Sequence, residues 1–259
     1  MPVTLDVDPD GVATLLLDRP AKRNALDRAM LDSLAAAVGR LGARDDVRAV
    51  VVRGAGGTFC AGADIADWVG TPGPVAAELS RLGRDTFTAL AALPVPSLAV
   101  IEGSAIGGGL ELALACDLRV AADDAVLGLP ETRLGNLPSW GGVARLAATA
   151  GLGVARQLVL GGETVSGARA AELLVVGAAA PPAELAALVR TTVERLLAAD
   201  PTALALAKQV LGGHEADHPL EPALAAYTAG LESSRRRKQD FLDQKARRRA
   251  ASARPVREP

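Results

Sequence analysis

Aromatic side chains are nearly absent: two Trp, one Tyr and three Phe in 259 residues. A core must then be built from Ala, Leu and Val, and a nucleic-acid reader made of stacked rings is excluded in favour of other classes. Histidine occurs only twice, at His214 and His218, so a His-based triad has little to draw on. Their setting "HEADH" matches H-E-x-x-H, yet Gly212 and Gly213 precede it and Pro219 follows at once. Proline disfavours helical geometry at the residue before it, so the two imidazoles are not expected on one helical face, and no metal site is expected. Cysteine is limited to Cys60 and Cys116, with no framework of pairs, which points to buried thiols in a reducing compartment. The opening "MPVTLDVDPDG" has no basic segment followed by an apolar one, so no signal peptide is expected. No apolar run of membrane-span length stands out; "AALPVPSLAVIEG" is interrupted by prolines and a carboxylate. The expectation is a soluble cytoplasmic protein.

What is present is ordinary for a globular chain: 49% hydrophobic and 22% charged residues. The length suits one large domain, or one domain with a smaller appendage. The net charge of −2 is unevenly spread. From Ser233 onward there are ten basic and three acidic residues, and the remainder carries 18 basic and 27 acidic ones. Any partner of that tail should be anionic and local, although a basic helix is also an ordinary solvated face.

"VTLDV" and "VATLLLD" read as strands around the turn "DPDG", a starting hairpin. In "LDRAMLDSLAAAVGRLG", Leu26, Met30, Leu34 and Val38 recur every four residues, the spacing of a helix face. "VRAVVVRG" reads as a buried strand. "VAAELSRLGRDTFTALAAL" reads as helix, "PSLAVIEG" as strand, "LELALACD" as helix and "LRVAA" as strand. After about residue 140, helical segments bounded by Gly or Pro dominate. The chain is thus expected to be α/β, with a core over 1–195 and a helical region with a basic tail over 196–259. The last ten residues read as disordered.

Two strand-to-helix corners carry chemistry. In "SAIGGGLELALACD" (residues 104–117), Gly107, Gly108 and Gly109 sit where a strand ends and a helix begins. Main-chain amides at a helix start lack intrahelical acceptors and gather positive potential, and glycine lets a ligand atom approach them. Such a turn can act as an oxyanion hole, or simply as a tight turn with close packing. The second corner is "VVVRGAGGTFCAGADI", where Ala61, Gly62 and Ala63 are small and Asp64 is placed to cap a following helix. Two carboxylates complete the set. Glu111 lies in an apolar helical run, and Glu131 follows Pro130 where a helical turn could start.

"RPAKRNAL", "FCAGADI", "SAIGGGLELALACD" and "PETRLGNLPSWGG" occur in the order and spacing of the crotonase family of enoyl-CoA hydratases and isomerases. The chain resembles that family from about residue 3 to 245. The resemblance implies a crotonase-like spiral of ββα units with a helical C-terminal region. It implies that the amides of Ala63 and Gly108 hold a thioester oxygen, that Glu111 activates water for C3, and that Glu131 delivers a proton to C2. Coenzyme A, part of the substrate rather than a separate cofactor, would pass Lys22 and Arg23, whose alternative is a solvated loop, and Ala25, Ala61, Asp64 and Ile65; Gly107, Pro130 and Trp140 are counted with the substrate-binding residues, Trp140 either lining the acyl pocket or packing inward. Family members are trimers or dimers of trimers, and the tail arginines could meet CoA phosphates. Retention of both glutamates favours hydration of a 2-enoyl-CoA. Isomerisation by one glutamate, other crotonase-type lyase or decarboxylase chemistry, and a silent scaffold or RNA-binding protein on the same fold are the alternatives. Two departures stand out: Glu102 where the family often has Asn, and Ser139–Trp140 where smaller residues are usual.

Overall fold

The computed structural model describes residues 2–68, 71–212 and 221–252. The "HEADH" stretch and residues 253–259 lie outside the described residues; of the last ten residues, read as disordered, 250–252 are helical as the end of the final helix. The chain divides into two compact units, Met1–Ala198 and Ala199–Pro259.

In the first unit, β1 (Val3–Val7) and β2 (Val12–Leu17) form the expected antiparallel hairpin. Then follow α1 (Arg28–Gly42), β3 (Ala49–Gly54), the short α2 (Ile65–Trp68), α3 (Gly73–Ala91) and β4 (Ser97–Ile101). Next come β5 (Ser104–Ile106), α4 (Gly108–Ala115), β6 (Leu118–Ala122) and β7 (Val126–Gly128). A 3₁₀ turn (Pro130–Leu134), α5 (Gly142–Leu160), β8 (Thr164–Ser166), α6 (Gly167–Glu172), β9 (Ala178–Ala180) and α7 (Pro182–Ala198) complete the unit.

Strands β1-β2-β3-β4-β6-β9 make one sheet in that order, parallel from β2 onward. Strands β3 and β4 are almost wholly buried, as parallel strands covered on both faces must be, which is why they read as continuous apolar runs. A second sheet, β5-β7-β8, stands beyond the carboxyl end of β4. Its three strands have three residues each and were not legible as strands; "GGG" therefore follows β5 rather than the long strand β4 directly. Helix α1 buries Met30, Leu31, Leu34, Ala37, Val38 and Leu41, one face at helical spacing, and Asp27 caps it by accepting the Met30 amide at 2.7 Å. Neither Cys60 nor Cys116 forms a disulfide among the described residues, and both are buried. Burial pushes the Cys60 thiol up to about 12, so it is an apolar filler rather than a nucleophile.

Helix α5 is long and apolar enough to cross a membrane by length and composition alone, a segment that scanning the sequence for apolar runs did not single out. Gly151, at φ 83° and ψ 158°, breaks it into two segments at the boundary expected from the sequence, and α5 packs on α4.

The second unit consists of α8 (Pro201–Gly212), α9 (Glu221–Gly230) and α10 (Glu232–Ser252) among its described residues. The sequence suggests one long final helix; the structure breaks it at Gly230, a residue that ends helices readily. Asp200 caps α8 through the Ala203 amide at 3.0 Å and pairs with Arg237 of α10 at 3.9 Å.

The loop after β3 depends on Asn24. Its buried amide accepts from Arg19 N at 2.9 Å and donates to the carbonyls of Ala55 at 2.9 Å and Thr58 at 2.6 Å. Asn24 also has φ 56°, a conformation asparagine tolerates better than most residues. Asn24→Ala strands these groups, and its expected cost is more than about 2 kcal/mol in urea unfolding; a cost below about 0.5 kcal/mol would show that the loop does not need the side chain.

Candidate active site

The two corners that the sequence singled out lie at the carboxyl ends of adjacent parallel strands, the usual place for a site in an open α/β sheet. The first corner is laced to the segment before α1. The Ala61 amide donates to Arg23 O at 3.0 Å, Leu26 N donates to Gly62 O at 2.7 Å, and Asp64 N donates to Leu26 O at 3.0 Å. The amides of Ala61 and Asp64 are thus used, Gly62 N donates to Cys60 Sγ at 3.4 Å, and the Ala63 N–H has no acceptor among the described residues.

The second corner is pinned to the first by main chain alone. Cys60 N donates to Ser104 O at 2.8 Å, and Ile106 N donates to Cys60 O at 3.1 Å. The three glycines then each answer a separate steric demand. Gly107 has φ 55° and ψ −127°, and a Cβ there would lie 2.9 Å from Glu131 Oε1. A Cβ on Gly108 would overlap the Trp140 ring, and one on Gly109 would collide with the Cys60 carbonyl. Gly107 N is used by Gly128 O at 2.8 Å, whereas Gly108 N, at the start of α4, has no acceptor among the described residues. A Cβ at Gly62 would sit 3.4 Å from Gly108 N, so the two corners approach closely, and Ala63 and Gly108 both line one cavity. The dipole of α4 adds positive potential there.

Glu111, one turn into α4, is 2% exposed. Its Oε1 accepts from Trp140 N at 2.9 Å and Gly142 N at 2.8 Å, both bonds falling on the same oxygen. Burial raises its pKa, and the two amides and the nearby Arg145 guanidinium oppose that rise. Glu131 sits in the first turn of the 3₁₀ segment. It reaches the corner because β7, which precedes that segment, pairs with β5, which precedes the glycines. Burial, reinforced by the Glu111 charge, pushes it up to about 7. Its Oε2 is buried with no hydrogen-bond partner among the described residues. A buried, unsatisfied carboxyl is costly in a folded protein and is a common mark of a working site.

Of the expected site residues, Ala61, Ala63, Ile65, Gly107, Gly108, Glu111, Pro130, Glu131 and Trp140 line one cavity of about 290 Å³. Lys22, Arg23, Ala25 and Asp64 do not line it. Lys22 and Arg23 are exposed, and the Arg23 carbonyl braces Ala61. Ala25 is buried, and its carbonyl accepts from Arg19 Nη1 at 3.1 Å. Asp64 faces Arg19 at 2.8 Å and caps α2 through the Ala66 amide at 3.2 Å; the hydrogen bond from Arg19 holds its carboxyl below the usual range. Its carboxylate thus serves as a helix cap and an ion-pair partner. Ile106, Leu134, Asn136, Leu137 and Ser139 line the cavity but were not assigned to it from the sequence. Leu134 and Leu137, apolar residues three apart in the Gly- and Pro-rich "RLGNLPSW", were the available signal. Among the described residues no three His, Cys, Asp or Glu side chains come together to hold a metal ion.

Residues 8–246 match the family model described as enoyl-CoA hydratase/isomerase. "Enoyl-CoA hydratase domain-containing protein 2, mitochondrial" from Bos taurus is 44% identical over 168 residues, covering 64% of this chain and 56% of its own, so the chain spans little more than half of that relative. "Short-chain-enoyl-CoA hydratase" from Clostridium acetobutylicum is 32% identical over 216 residues, covering 83% of this chain and 82% of its own. The crystal structure of enoyl-CoA hydratase from Bacillus anthracis superposes with a TM-score of 0.88 at 30% identity, covering 94% of this chain and 97% of that one. With its paired carboxyls and twin glycine-rich corners on the fold of those enzymes, the chain belongs to the enoyl-CoA hydratase/isomerase family, the crotonases.

Proposed function

We propose that this protein hydrates a 2-enoyl-CoA thioester. The observation that carries the proposal is the convergence on one cavity of two acceptor-free amides, at Ala63 and Gly108, and two carboxyls whose pKa values are both raised. The thioester oxygen accepts from both amides. Glu111, oriented by Trp140 N and Gly142 N on one oxygen, uses the other to take a proton from water as that water adds to C3. Negative charge moves onto the thioester oxygen, where preorganised donors are worth ~10²–10³ each in rate. Glu131, protonated, then gives its proton to C2. A double-bond isomerisation needs only one carboxyl, and the presence of both supports addition of water.

Glu111→Gln and Glu131→Gln are each expected to lower kcat/KM for crotonyl-CoA hydration by about 10²–10⁴ with an unchanged circular dichroism spectrum. Near-wild-type turnover in either folded variant removes its proposed role.

The same assignment fixes two pH dependences. Hydration needs the acid form of Glu131, so kcat/KM should fall as pH rises past about 7. A profile flat from pH 6 to 9 contradicts this. Stability follows from linkage. The folded state keeps the Glu131 proton up to about pH 7, whereas the unfolded chain loses it near 4.5. Ionisation therefore favours the unfolded state across that window, and stability falls as pH rises through it. Glu131→Gln should remain folded at pH 8 to a higher Tm than the wild type, with the gap narrowing at pH 4.5; an equal gap at both pH values counts against the raised pKa.

A further inference from the structure

Within that acyl-CoA reading, we propose that Trp140 is the wall closing the acyl end of the cavity, and that Gly83 is the recess that lets it stand there. The enzyme would then take short acyl groups and exclude long ones.

Gly83 lies inside the 19-residue helix α3, where glycine is among the poorest helix formers. Its reason is steric. A Cβ there would stand 2.5 Å from Trp140 Nε1, 2.6 Å from Cε2 and 2.7 Å from Cδ1. The opposite edge of the indole fills the space a Cβ on Gly108 would need. Phe87, one turn along α3 from Gly83, meets the indole edge-on, with centroids 5.5 Å apart at 83°. The ring therefore spans the gap between α3 and the start of α4.

The wall is fixed at its backbone as well. Trp140 N donates to Glu111 Oε1, and Trp140 O accepts from Arg145 Nη1 at 2.9 Å. These bonds fix the backbone from which the indole projects beside the Glu111 carboxyl, and Gly83, Gly108 and Phe87 hem in the ring itself. Although only 2% exposed, Trp140 lines the cavity, whose volume of about 290 Å³ sits at the small end of the range for small-molecule sites, ~300–1,000 Å³. A smaller residue at position 140 would join the space between α3 and α4 to the cavity. Trp140 acts as a specificity residue here, through its volume, and takes no part in proton transfer.

The test compares binding of butyryl-CoA and dodecanoyl-CoA by calorimetry, because saturated thioesters bind without reacting. In Trp140→Leu, and more mildly in Trp140→Phe, the Kd ratio should shift toward the long chain by at least about tenfold, the smallest effect expected of a methylene-sized change in an apolar pocket. Gly83→Ala should weaken butyryl-CoA binding while Trp140 is present, by pushing the indole into the cavity, and should be neutral beside Trp140→Ala. An unchanged chain-length ratio in a folded Trp140→Leu, or an equal Gly83→Ala effect in both backgrounds, overturns the proposal. Variants that show the shift, from a wild type that hydrates no thioester, refute the hydration reading and leave this one standing. A wild type that hydrates crotonyl-CoA but shows no shift in its variants refutes only this one.

Discussion

Two main-chain hydrogen bonds, from Cys60 N to Ser104 O and from Ile106 N to Cys60 O, hold the whole site. They join two corners that begin at different strands and are separated by more than 40 residues of chain. Everything chemical depends on the register they set. One residue of slip would move both corners, and the groups they carry, out of this alignment. Among the described residues Ala63 N and Gly108 N have no acceptor, Gly108 because it opens α4, where the first amides lack an intrahelical partner. Main-chain donors cannot be removed by substituting a side chain, so this arrangement is encoded by what permits the approach, namely small residues and glycines, rather than by the donors themselves.

The carboxyls depend on the same register. Glu111 rides on α4, one turn after the corner, and Glu131 arrives through β7, which is paired to β5 at the corner's other side. Both are taken from water, so both resist ionisation, and each raises the cost of charging the other. The structure treats them unequally. Two amides favour the charged form of Glu111, whereas Glu131 has a buried oxygen with no partner among the described residues. In the proposed hydration that inequality assigns Glu111 as base and Glu131 as acid, the separation that acid–base chemistry at neutral pH requires.

Much of this was legible in the chain. The hairpin, the buried strands β3 and β4, and the apolar face of α1 follow from periodicity and turn residues. The glycine run marked its corner because three glycines before a helix have no use in helix formation. Less legible were β5, β7 and β8, each three residues long, too short to show a period; with them went the reason Glu131 meets Gly107. The bracing of the first corner by Arg19 and Asn24 was hidden too, since their hydrogen bonds reach carbonyls and carboxylates far along the chain. Asp64 falls on both sides. Its cap on the following helix was legible from its place after "CAGA", whereas its ion pair with Arg19, 45 residues back in the chain, was not. Gly83 gave no signal in the sequence, because its partner, Trp140, lies 57 residues away.

The central claim is that one thioester oxygen accepts from both Ala63 N and Gly108 N. It is tested most directly by the infrared spectrum of a ¹³C-carbonyl-labelled saturated acyl-CoA bound to the ¹⁵N-labelled protein, read together with the amide resonances of the two residues. The account predicts a carbonyl stretch lowered on binding and downfield shifts of both amide protons. A carbonyl band at its free-solution frequency, or a shift confined to one of the two amides, would contradict it.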